Sequence, residues 1–411
     1  MLTRRAALAL TASSLSALAI GCGAERGAPF WFSYGGKPRE VLLAIVADFH
    51  ASQSEHRIAP VYQGDYFETL AKLRTAMHVG MAPALTHVVG ESLPYLVEAG
   101  VLEPIDDVAE GLELVPALTQ VGMFGARAET HALPFNRSTP IMYVNDEMLE
   151  SAGVRAPETW DELREAARAL TTGSGADTRF GFACAIDWWF WVALVGQAGG
   201  SVFDADARPA LDSDAAAEAI ELWRELVGAG VMRPPPGRDY DAWEVVNGDF
   251  FAKRAAMIWT SNAYLRKFDD NAKFRWRAAP LPRGVRGSAP TGGTFFVVPR
   301  GAPDAHRRAA RAFLRFVMQP AQANRFATAT GYLPVSRAGV EALEREGYYT
   351  THPNDRVPVD QLARAHGWPW SRSLLRVQRE VIQPSLEAAI LGGRPTREVL
   401  REAQRAALED G

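Results

Sequence analysis

Short apolar runs and amphipathic segments alternate along the first hundred residues, and this alternation limits the possible folds more than any other feature. In the first amphipathic segment, Leu42, Ile45 and Phe49 follow the spacing of a buried helical face. The alternation predicts strands at 31–36, 56–63 and 84–90, and helices at 37–52, at 66–77 and from Leu93 onward. Strands and helices joined by short polar connections are typical of a parallel sheet flanked by helices, so we expect an α/β fold.

A second α/β unit follows without a long linker. Thr159–Glu162 has the form of a capping box before a helix, and Ser213 precedes another amphipathic segment. The apolar segments 274–282 and 291–299 are predicted strands that return to the first unit. At roughly 150 residues per domain, a chain of 411 residues corresponds to two or three domains. Two units joined by crossing segments enclose a cleft, and clefts between domains are favoured ligand sites.

The N-terminal segment has the pattern of an export signal rather than of a folded element. Two arginines precede an apolar stretch, residues 6–20, that is too short for a stable membrane span. Small residues lead directly to Cys22, which indicates cleavage before this residue and its acylation, as in a lipoprotein. We therefore expect a signal peptide at 1–21, a tether at 22–30 and an exported, lipid-anchored protein. A twin-arginine signal and a simple secretory peptide stay open as alternatives.

The charge disfavours a nucleic-acid-binding protein, and the cysteine content excludes a disulfide-rich one. The net charge is −4, from 44 basic and 48 acidic residues, so no strong positive field attracts nucleic acid. Two cysteines cannot form a disulfide framework. With Cys22 acylated, Cys184 has no partner, and we expect it to be a small buried apolar side chain.

Signatures of catalysis and of cofactor binding are missing from the sequence. It contains no GxxxxGKS/T or GxGxxG phosphate-binding pattern, no GxSxG nucleophile pattern and no HExxH metal pattern. The eight histidines are scattered, and none has helical metal-ligand spacing. We therefore expect no cofactor and no metal. A pair of cleft carboxylates, as in a glycosidase, leaves no sequence pattern, so a hydrolase stays open.

Six stretches carry a likeness to a known family: PFWFSYGG, APVYQGDY, ALPFNRSTPIMYVN, AAMIWTSN, TGGTFFVVP and ATGYLPVSRAGVEALEREGYYTTHP. They resemble the extracellular solute-binding proteins of ABC importers, and among these the glycerol 3-phosphate and glycerophosphodiester binding proteins. The likeness extends from about Pro29 to Leu391. It implies a two-lobed periplasmic-binding-protein fold with a hinge and a ligand cleft between the lobes. The implied lobes are 31–136 with about 274–329, and 137–273 with about 330–411.

The resemblance implies binding without catalysis. A protein of this kind captures a solute, closes on it and delivers it to the transmembrane subunits of an ABC permease. The expected partners are therefore the solute, the permease and, through the lipid anchor, the membrane, with no nucleic acid. We expect a monomer.

Binding positions of the family carry over where the local motif matches: Tyr66, Ser138, Ser261, Gly293, Tyr332 and Arg379. The resemblance assigns phosphate contacts to Ser261, Tyr332 and Arg379, and a backbone amide to Gly293. This set fits the chemistry of a phosphate ester. Hydroxyl and N–H groups donate to its oxygens, and one guanidinium binds two oxygens at once.

Three departures from the family pattern leave the ligand open. The glutamate that takes glycerol hydroxyls in the family falls at Gly90 in a gapless alignment, with Glu91 one residue later. Arg137 replaces a common serine, and it either adds a positive group to the cleft or faces solvent. Trp188 and Trp189 are joint candidates for a cleft tryptophan. A tryptophan face packs on glycerol, stacks on a sugar or contacts choline through a cation–π interaction.

Two other functions compete with glycerol phosphate binding. A neutral sugar binder of the same transport class would use the tryptophans for stacking and would not need Arg379. A secreted hydrolase of glycosides or phosphodiesters would turn over a chromogenic substrate.

Overall fold

The computed structural model describes residues 27–119 and 129–409. The predicted signal peptide, 1–21, and Cys22 lie outside the described residues. The described part contains two five-stranded sheets and one two-stranded sheet. The strands are β1 Ala28–Phe32, β2 Ile58–Tyr62, β3 Leu85–Val89, β4 Leu133–Ser138, β5 Pro140–Asn145, β6 Phe180–Cys184, β7 Met232–Arg233, β8 Ala255–Ser261, β9 Trp276–Ala279, β10 Ala289–Pro290, β11 Gly292–Val297 and β12 Ala365–His366.

Helices cover both faces of the two large sheets. They are α1 Gly36–Ser52, α2 Tyr66–His78, α3 Leu93–Glu98, α4 Asp106–Ala109, α5 Asp146–Ala152, α6 Trp160–Leu170, α7 Trp188–Gln197, α8 Asp214–Gly228, α9 Asp239–Phe251, α10 Leu265–Asn271, α11 Asp304–Val317, α12 Pro320–Thr330, α13 Arg337–Arg345, α14 Tyr348–Thr351, α15 Pro353–Gln361, α16 Leu374–Arg376, α17 Gln383–Ile390 and α18 Thr396–Leu408. A π-helical turn, Val377–Ile382, joins α16 to α17. None of the helices in the described part of the chain combines the length and the apolar character that a membrane crossing needs.

The first lobe is built on the sheet β2–β1–β3–β11–β4. Strands β1, β2 and β3 are parallel, as the alternation predicts, and β11 runs antiparallel between β3 and β4. One face packs against α1, α11 and α12, and the other packs against α2 and α3. The predicted tether, 22–30, is wrong at its end, because β1 begins at Ala28 and pairs with Ile58, while residues 22–26 lie outside the described residues.

The second lobe is built on the sheet β7–β6–β8–β5–β9. Its core is rich in buried tryptophans, of which Trp191, Trp223 and Trp259 are each 1% exposed. Cys184 lies in the same core and is fully buried, as expected for a small apolar side chain.

Two predictions about which lobe a segment joins are wrong. Strand β9, in the segment 274–282, does not return to the first sheet but pairs antiparallel with β5 at the edge of the second. Leu333 and Val335, assigned to the second lobe, pack in the core of the first. An apolar run predicts a strand or a buried segment, but it carries no information about the partner that covers it.

The chain crosses between the sheets at Thr139, directly after β4. The Thr139 N–H donates to Asn262 Oδ1 at 2.7 Å, and its hydroxyl donates to the Pro290 carbonyl at 3.0 Å. Gln361 Nε2 donates to the Pro140 carbonyl at 2.7 Å. These bonds join this crossing between the lobes to three segments that are distant in the sequence.

Candidate ligand-binding cleft

A cavity of about 500 Å³ lies between the two lobes. This volume falls within the range of small-molecule sites, roughly 300–1,000 Å³. The structure brings every predicted ligand-binding residue to this cavity: Tyr66, Glu91, Ser138, Trp188, Trp189, Ser261, Gly293, Tyr332 and Arg379. Their contact with a ligand stays a prediction.

Tyr66 begins α2, and a complete capping box fixes the start of this helix. The Asp65 carboxylate accepts from the N–H groups of Phe67 and Glu68, and the Glu68 carboxylate accepts from the Asp65 N–H. The Tyr66 hydroxyl lies 3.3 Å from the Tyr332 hydroxyl. Burial raises the pKa of Tyr66 well above its ordinary value, so Tyr66 enters the cleft as a neutral hydroxyl.

Behind Tyr66, a chain of hydrogen bonds runs through the first sheet. Asn136 Nδ2 donates to the Tyr66 hydroxyl at 2.8 Å, and Asn136 Oδ1 accepts from the Thr294 N–H at 3.2 Å and from the Thr294 hydroxyl. Thr294 Oγ1 lies 2.7 Å from His87 Nδ1, and His87 Nε2 accepts from the Ser33 N–H at 2.9 Å. Burial lowers the pKa of His87 to about 3, so this histidine is neutral.

Two glycines at the start of β11 lie where a side chain would not fit, Gly293 within the first sheet and Gly292 against the second lobe. Gly293 has φ +91°, and a Cβ there would lie 1.9 Å from the Asn136 carbonyl oxygen. A Cβ on Gly292 would lie 2.9 Å from the Trp189 ring, which belongs to the second lobe. The Gly292–Gly293 backbone therefore faces the cleft with no side chain in front of it.

Asp187, which sequence reasoning missed, organises the opposite wall. It caps α7 by accepting from the Trp189 N–H at 2.8 Å, and its other oxygen accepts from Trp243 Nε1 at 3.2 Å. The residue is 3% exposed. Burial raises the pKa of Asp187 to about 7, and the nearby Asp239 adds to the shift. An aspartate directly before an apolar helix is an N-cap signal that points to this residue.

The two candidate tryptophans have different surroundings. Trp189 stacks on Trp243 with ring centroids 5.3 Å apart, and Tyr240 meets Trp243 edge-on at 5.6 Å. Trp188 packs against Trp368 at 5.1 Å. Trp189 therefore belongs to an aromatic cluster along the cleft wall, and Trp188 lies at the junction with the C-terminal segment.

Arg379 lies on the π-helical turn and reaches across the cleft. Its Nη2 pairs with Asp239 at 3.1 Å, and its guanidinium carbon lies 3.7 Å from the centroid of the Phe67 ring in the first lobe. Its Nη1 is buried and has no hydrogen-bond partner among the described residues. The neighbouring Gln378, which no sequence signal indicated, also lines the cavity with an unpartnered buried amide. Single π turns are frequent at functional sites.

Glu91 and Arg137 are both buried, but only Glu91 lines the cavity. Burial raises the pKa of Glu91 to about 7, and the positive charge of Arg137 opposes the shift. Arg137 donates to the Leu118 carbonyl at 3.1 Å and packs 4.3 Å from the centroid of the Phe295 ring. Both readings considered for Arg137 are wrong, because it is 1% exposed and does not line the cavity.

The two predicted serines lie where strands end at the cleft. Ser138 is the last residue of β4 and pairs with Gly292. Ser261 is the last residue of β8, and its hydroxyl accepts from the Ala263 N–H at 3.1 Å. Each serine begins a connection that leaves its sheet on the cleft side. No group of three or more acidic, histidine or cysteine side chains among the described residues is placed to hold a metal ion.

Comparison with known proteins gives relatives over almost the whole chain. The sn-glycerol-3-phosphate-binding periplasmic protein UgpB of Salmonella typhimurium is 25% identical over 404 residues, which cover 91% of this chain and 90% of that protein. Its counterpart from Pectobacterium atrosepticum is 24% identical over 97% of this chain and 94% of its own.

Solved structures share the two-lobed fold. UgpB from Mycobacterium tuberculosis in complex with glycerophosphocholine superposes with a TM-score of 0.82 at 24% identity, covering 94% of this chain and 98% of that one. The GacH receptor of Streptomyces glaucescens, solved unliganded and with acarbose, also gives 0.82, at 20% identity and over 93% and 98% of the two chains. The expected periplasmic-binding-protein fold is confirmed.

A family model described as bacterial extracellular solute-binding protein matches residues 44–351. The expectation that the chain binds a solute rather than transforms it is confirmed, because binding is what defines this family. The chain belongs to the bacterial extracellular solute-binding proteins.

Proposed function

We propose that this protein captures glycerol 3-phosphate or a glycerophosphodiester and delivers it to an ABC permease. The observation that carries the proposal is the buried, unpartnered Nη1 of Arg379 in a cleft that also holds neutral hydroxyl donors. A buried N–H group of a guanidinium without an acceptor is costly. A phosphate oxygen would satisfy it and would bind in the charge-assisted manner that arginine favours. The relatives named for glycerol 3-phosphate binding support this assignment.

Each end of such a ligand has a matching part of the cleft. Arg379, Tyr332, Ser261 and Gly293 all line the cavity, and their guanidinium, hydroxyl and amide donors suit the phosphate. The buried Glu91 suits the glycerol hydroxyls, because a carboxylate accepts from two hydroxyls at once.

The aromatic cluster of Trp189, Tyr240 and Trp243 suits the headgroup of a diester. A quaternary ammonium group packs well on such faces, and the buried Asp187 beside them adds a negative charge when it ionises. A phosphate diester with a cationic headgroup therefore matches the charges of both walls.

A neutral oligosaccharide is the second candidate ligand, and the same aromatic cluster supports it. Sugar rings stack on tryptophan faces, and the GacH receptor, which has the same fold, is described in complex with acarbose. In that case Arg379 would keep its pair with Asp239 and would not contact the ligand.

The lobes already meet across the cleft. Besides the Arg379–Phe67 contact, Tyr66 of the first lobe meets Tyr240 of the second edge-on at 6.1 Å. A ligand that bridges both walls stabilises this closed arrangement through its higher affinity for it. We propose that the closed form is the one that the permease recognises.

We also propose that the mature protein is a monomer anchored by acylation of Cys22. Labelling cells with a palmitate analogue is expected to mark the wild-type protein and to leave the Cys22→Ser variant unmarked. Equal labelling of both would rule out this anchor.

Isothermal titration calorimetry of purified protein with glycerol 3-phosphate, glycerophosphocholine and maltose tests the ligand. We expect binding of the phosphate ligands, and the Arg379→Ala variant is expected to lose about 2–5 kcal/mol of binding free energy, because one partner of a buried charged contact is removed. Arg401→Ala, at an exposed position of α18, is the matched control and is expected to bind normally. Binding of maltose alone, unaffected by Arg379→Ala, would favour the oligosaccharide.

A further inference from the structure

The hydrogen bonds behind Tyr66 run in one direction, because each group donates to the next one on the path toward the cleft. This direction bears on which ligand groups the cleft can bind. We propose that Ser33, His87, Thr294 and Asn136 fix the hydroxyls of Tyr66 and Tyr332 as hydrogen-bond donors toward the ligand. Asn136 is thereby a positioning residue that selects an acceptor-rich group, such as a phosphate, at this end of the cleft. Only the identity of the ligand rests on the proposed function; the direction of the chain does not.

The direction begins at a backbone amide. The Ser33 N–H can only donate, and it donates to His87 Nε2 at 2.9 Å. The neutral imidazole therefore carries its proton on Nδ1. This Nδ1–H donates to Thr294 Oγ1 at 2.7 Å. His87 is buried, and the Tyr34 ring stacks on it with centroids 4.5 Å apart, which holds the imidazole plane in place.

A second backbone amide fixes Asn136. The Thr294 N–H donates to Asn136 Oδ1 at 3.2 Å, which sets the orientation of the carboxamide. The Thr294 hydroxyl already accepts from His87, so its own proton goes to the same Oδ1. Asn136 Nδ2 therefore faces Tyr66 and donates to its hydroxyl oxygen at 2.8 Å.

The two tyrosines carry the direction into the cleft. Because the Tyr66 oxygen accepts from Asn136, its proton is left to donate to the Tyr332 oxygen at 3.3 Å or to a ligand. Tyr332, when it accepts from Tyr66, turns its own proton to the cavity that it lines. This end of the cleft therefore presents O–H donors and disfavours groups that themselves donate, such as ammonium.

Asn136→Asp tests the direction, because the shape is preserved and the donor is lost. One carboxylate oxygen keeps the Thr294 contacts, and the other takes the proton of Tyr66. At pH 7.5 we expect the dissociation constant for glycerol 3-phosphate to rise at least tenfold over wild type. The ratio of variant to wild-type constants is expected to fall as the pH is lowered to 5, because a protonated carboxyl donates to Tyr66 again.

A double-mutant cycle with Tyr66→Phe distinguishes the loss of the hydrogen bond to Tyr66 from a general effect of the new negative charge at position 136. The titratable groups next to position 136 are His87, Tyr66 and Tyr332, with the buried Arg137 following on the strand and Glu91 at the cavity. If the direction matters, Asn136→Asp has a much smaller effect in the Tyr66→Phe background. An equal penalty in both backgrounds, or a ratio that does not change with pH, would overturn the proposal.

A ligand-free measurement keeps this inference separate from the proposed function. ¹⁵N NMR of the imidazole in unliganded wild-type protein is expected to show the proton of His87 on Nδ1. A proton on Nε2 would overturn the direction whatever the ligand is. If wild type binds neither glycerol 3-phosphate nor glycerophosphocholine, the proposed function fails, and the NMR result still decides the direction of the chain.

Discussion

The two walls of the cleft are built on different principles. Apart from the buried carboxyl of Glu91, the wall of the first lobe consists of neutral groups that bond to one another and to backbone amides, as in the Ser33–His87 and Asn136–Thr294 contacts. The wall of the second lobe holds an ion pair, Arg379–Asp239, a buried carboxyl and an aromatic cluster. The first wall has fixed donors before any ligand arrives. The second wall has charges that now neutralise each other.

This difference assigns different tasks to the walls. Fixed donors lose little entropy on binding, so the first wall suits orientation of the ligand. In the proposed binding mode, Arg379 would change partners when an anion enters, because a phosphate oxygen would replace Asp239 or share the guanidinium with it. The second wall therefore responds to the charge of the ligand, and it can couple binding to closure.

The largest expected effect tests the rigidity of the first wall. Gly293→Ala places a Cβ 1.9 Å from the Asn136 carbonyl oxygen at φ +91°, and neither backbone can move without breaking the sheet. We expect a loss of at least about 3 kcal/mol in the free energy of unfolding, measured with urea.

Gly301→Ala is the matched control for this variant. Gly301 has φ +95° with open space around it, so only the backbone conformation is penalised, by roughly 1–2 kcal/mol. Equal losses in the two variants would contradict a tightly packed first wall.

The next largest expected effect tests the buried carboxyl of Asp187 in the second wall. The folded-state pKa of Asp187, about 7, lies above its ordinary value of 3.8, so the folded protein holds the proton more tightly than the unfolded chain. The contribution of the protonated Asp187 to the free energy of unfolding is complete below about pH 4 and is lost as the pH rises to about 7. Between these two pH values, the unfolding free energy falls by at most about 1.4 kcal/mol per pH unit because of this group.

The Asp187→Asn variant cannot titrate at this position, so its unfolding free energy is expected to change less between pH 4 and pH 7 than that of wild type. Glu91, whose pKa is also raised, remains in both proteins and cancels in the difference. Parallel curves for the two proteins would show that Asp187 is not the buried acid responsible.

The third effect concerns recognition of the glycerol part. Glu91→Gln retains the shape but loses the charge that strengthens a hydrogen bond from a hydroxyl. We expect roughly tenfold weaker binding of glycerol 3-phosphate, about 1.4 kcal/mol, by calorimetry. Inorganic phosphate has no glycerol and serves as the control ligand. A similar loss for both ligands would place the effect of Glu91 on the phosphate instead.

Sequence patterns predicted local structure well and long-range pairing poorly. The predicted strands at 56–63 and 84–90 and the helices at 37–52 and 66–77 match observed elements, because their periodicity is a local property. The pairing of β9 with β5 is a contact between segments that are distant in the sequence, and no local pattern in 274–282 indicates it.

The candidate site divides in the same way. Resemblance selected Tyr66, at a helix start, and Arg379, on the π-helical turn, and both line the cavity, while their contact with a ligand stays a prediction. Arg137 lies one residue from Ser138 on β4 yet points away from the cleft, because neighbouring strand residues face opposite sides. His87 and Thr294 meet only through the pairing of β3 with β11, which no local pattern shows.

The smallest expected effect tests the contact between the walls. Phe67→Leu keeps an apolar side chain but removes the ring that lies 3.7 Å from the Arg379 guanidinium. A cation–π contact at a partly exposed site contributes about 0.5–1 kcal/mol, so we expect a two- to fivefold weaker affinity for glycerol 3-phosphate. Because Phe67 and Arg379 belong to opposite lobes, small-angle scattering of the ligand-free protein should show a larger radius of gyration for the variant. If only affinity fell and the radius did not change, Phe67 would act on the ligand site and not on closure. The division between an orienting wall and a charge-sensing wall would then be independent of the contact that joins them.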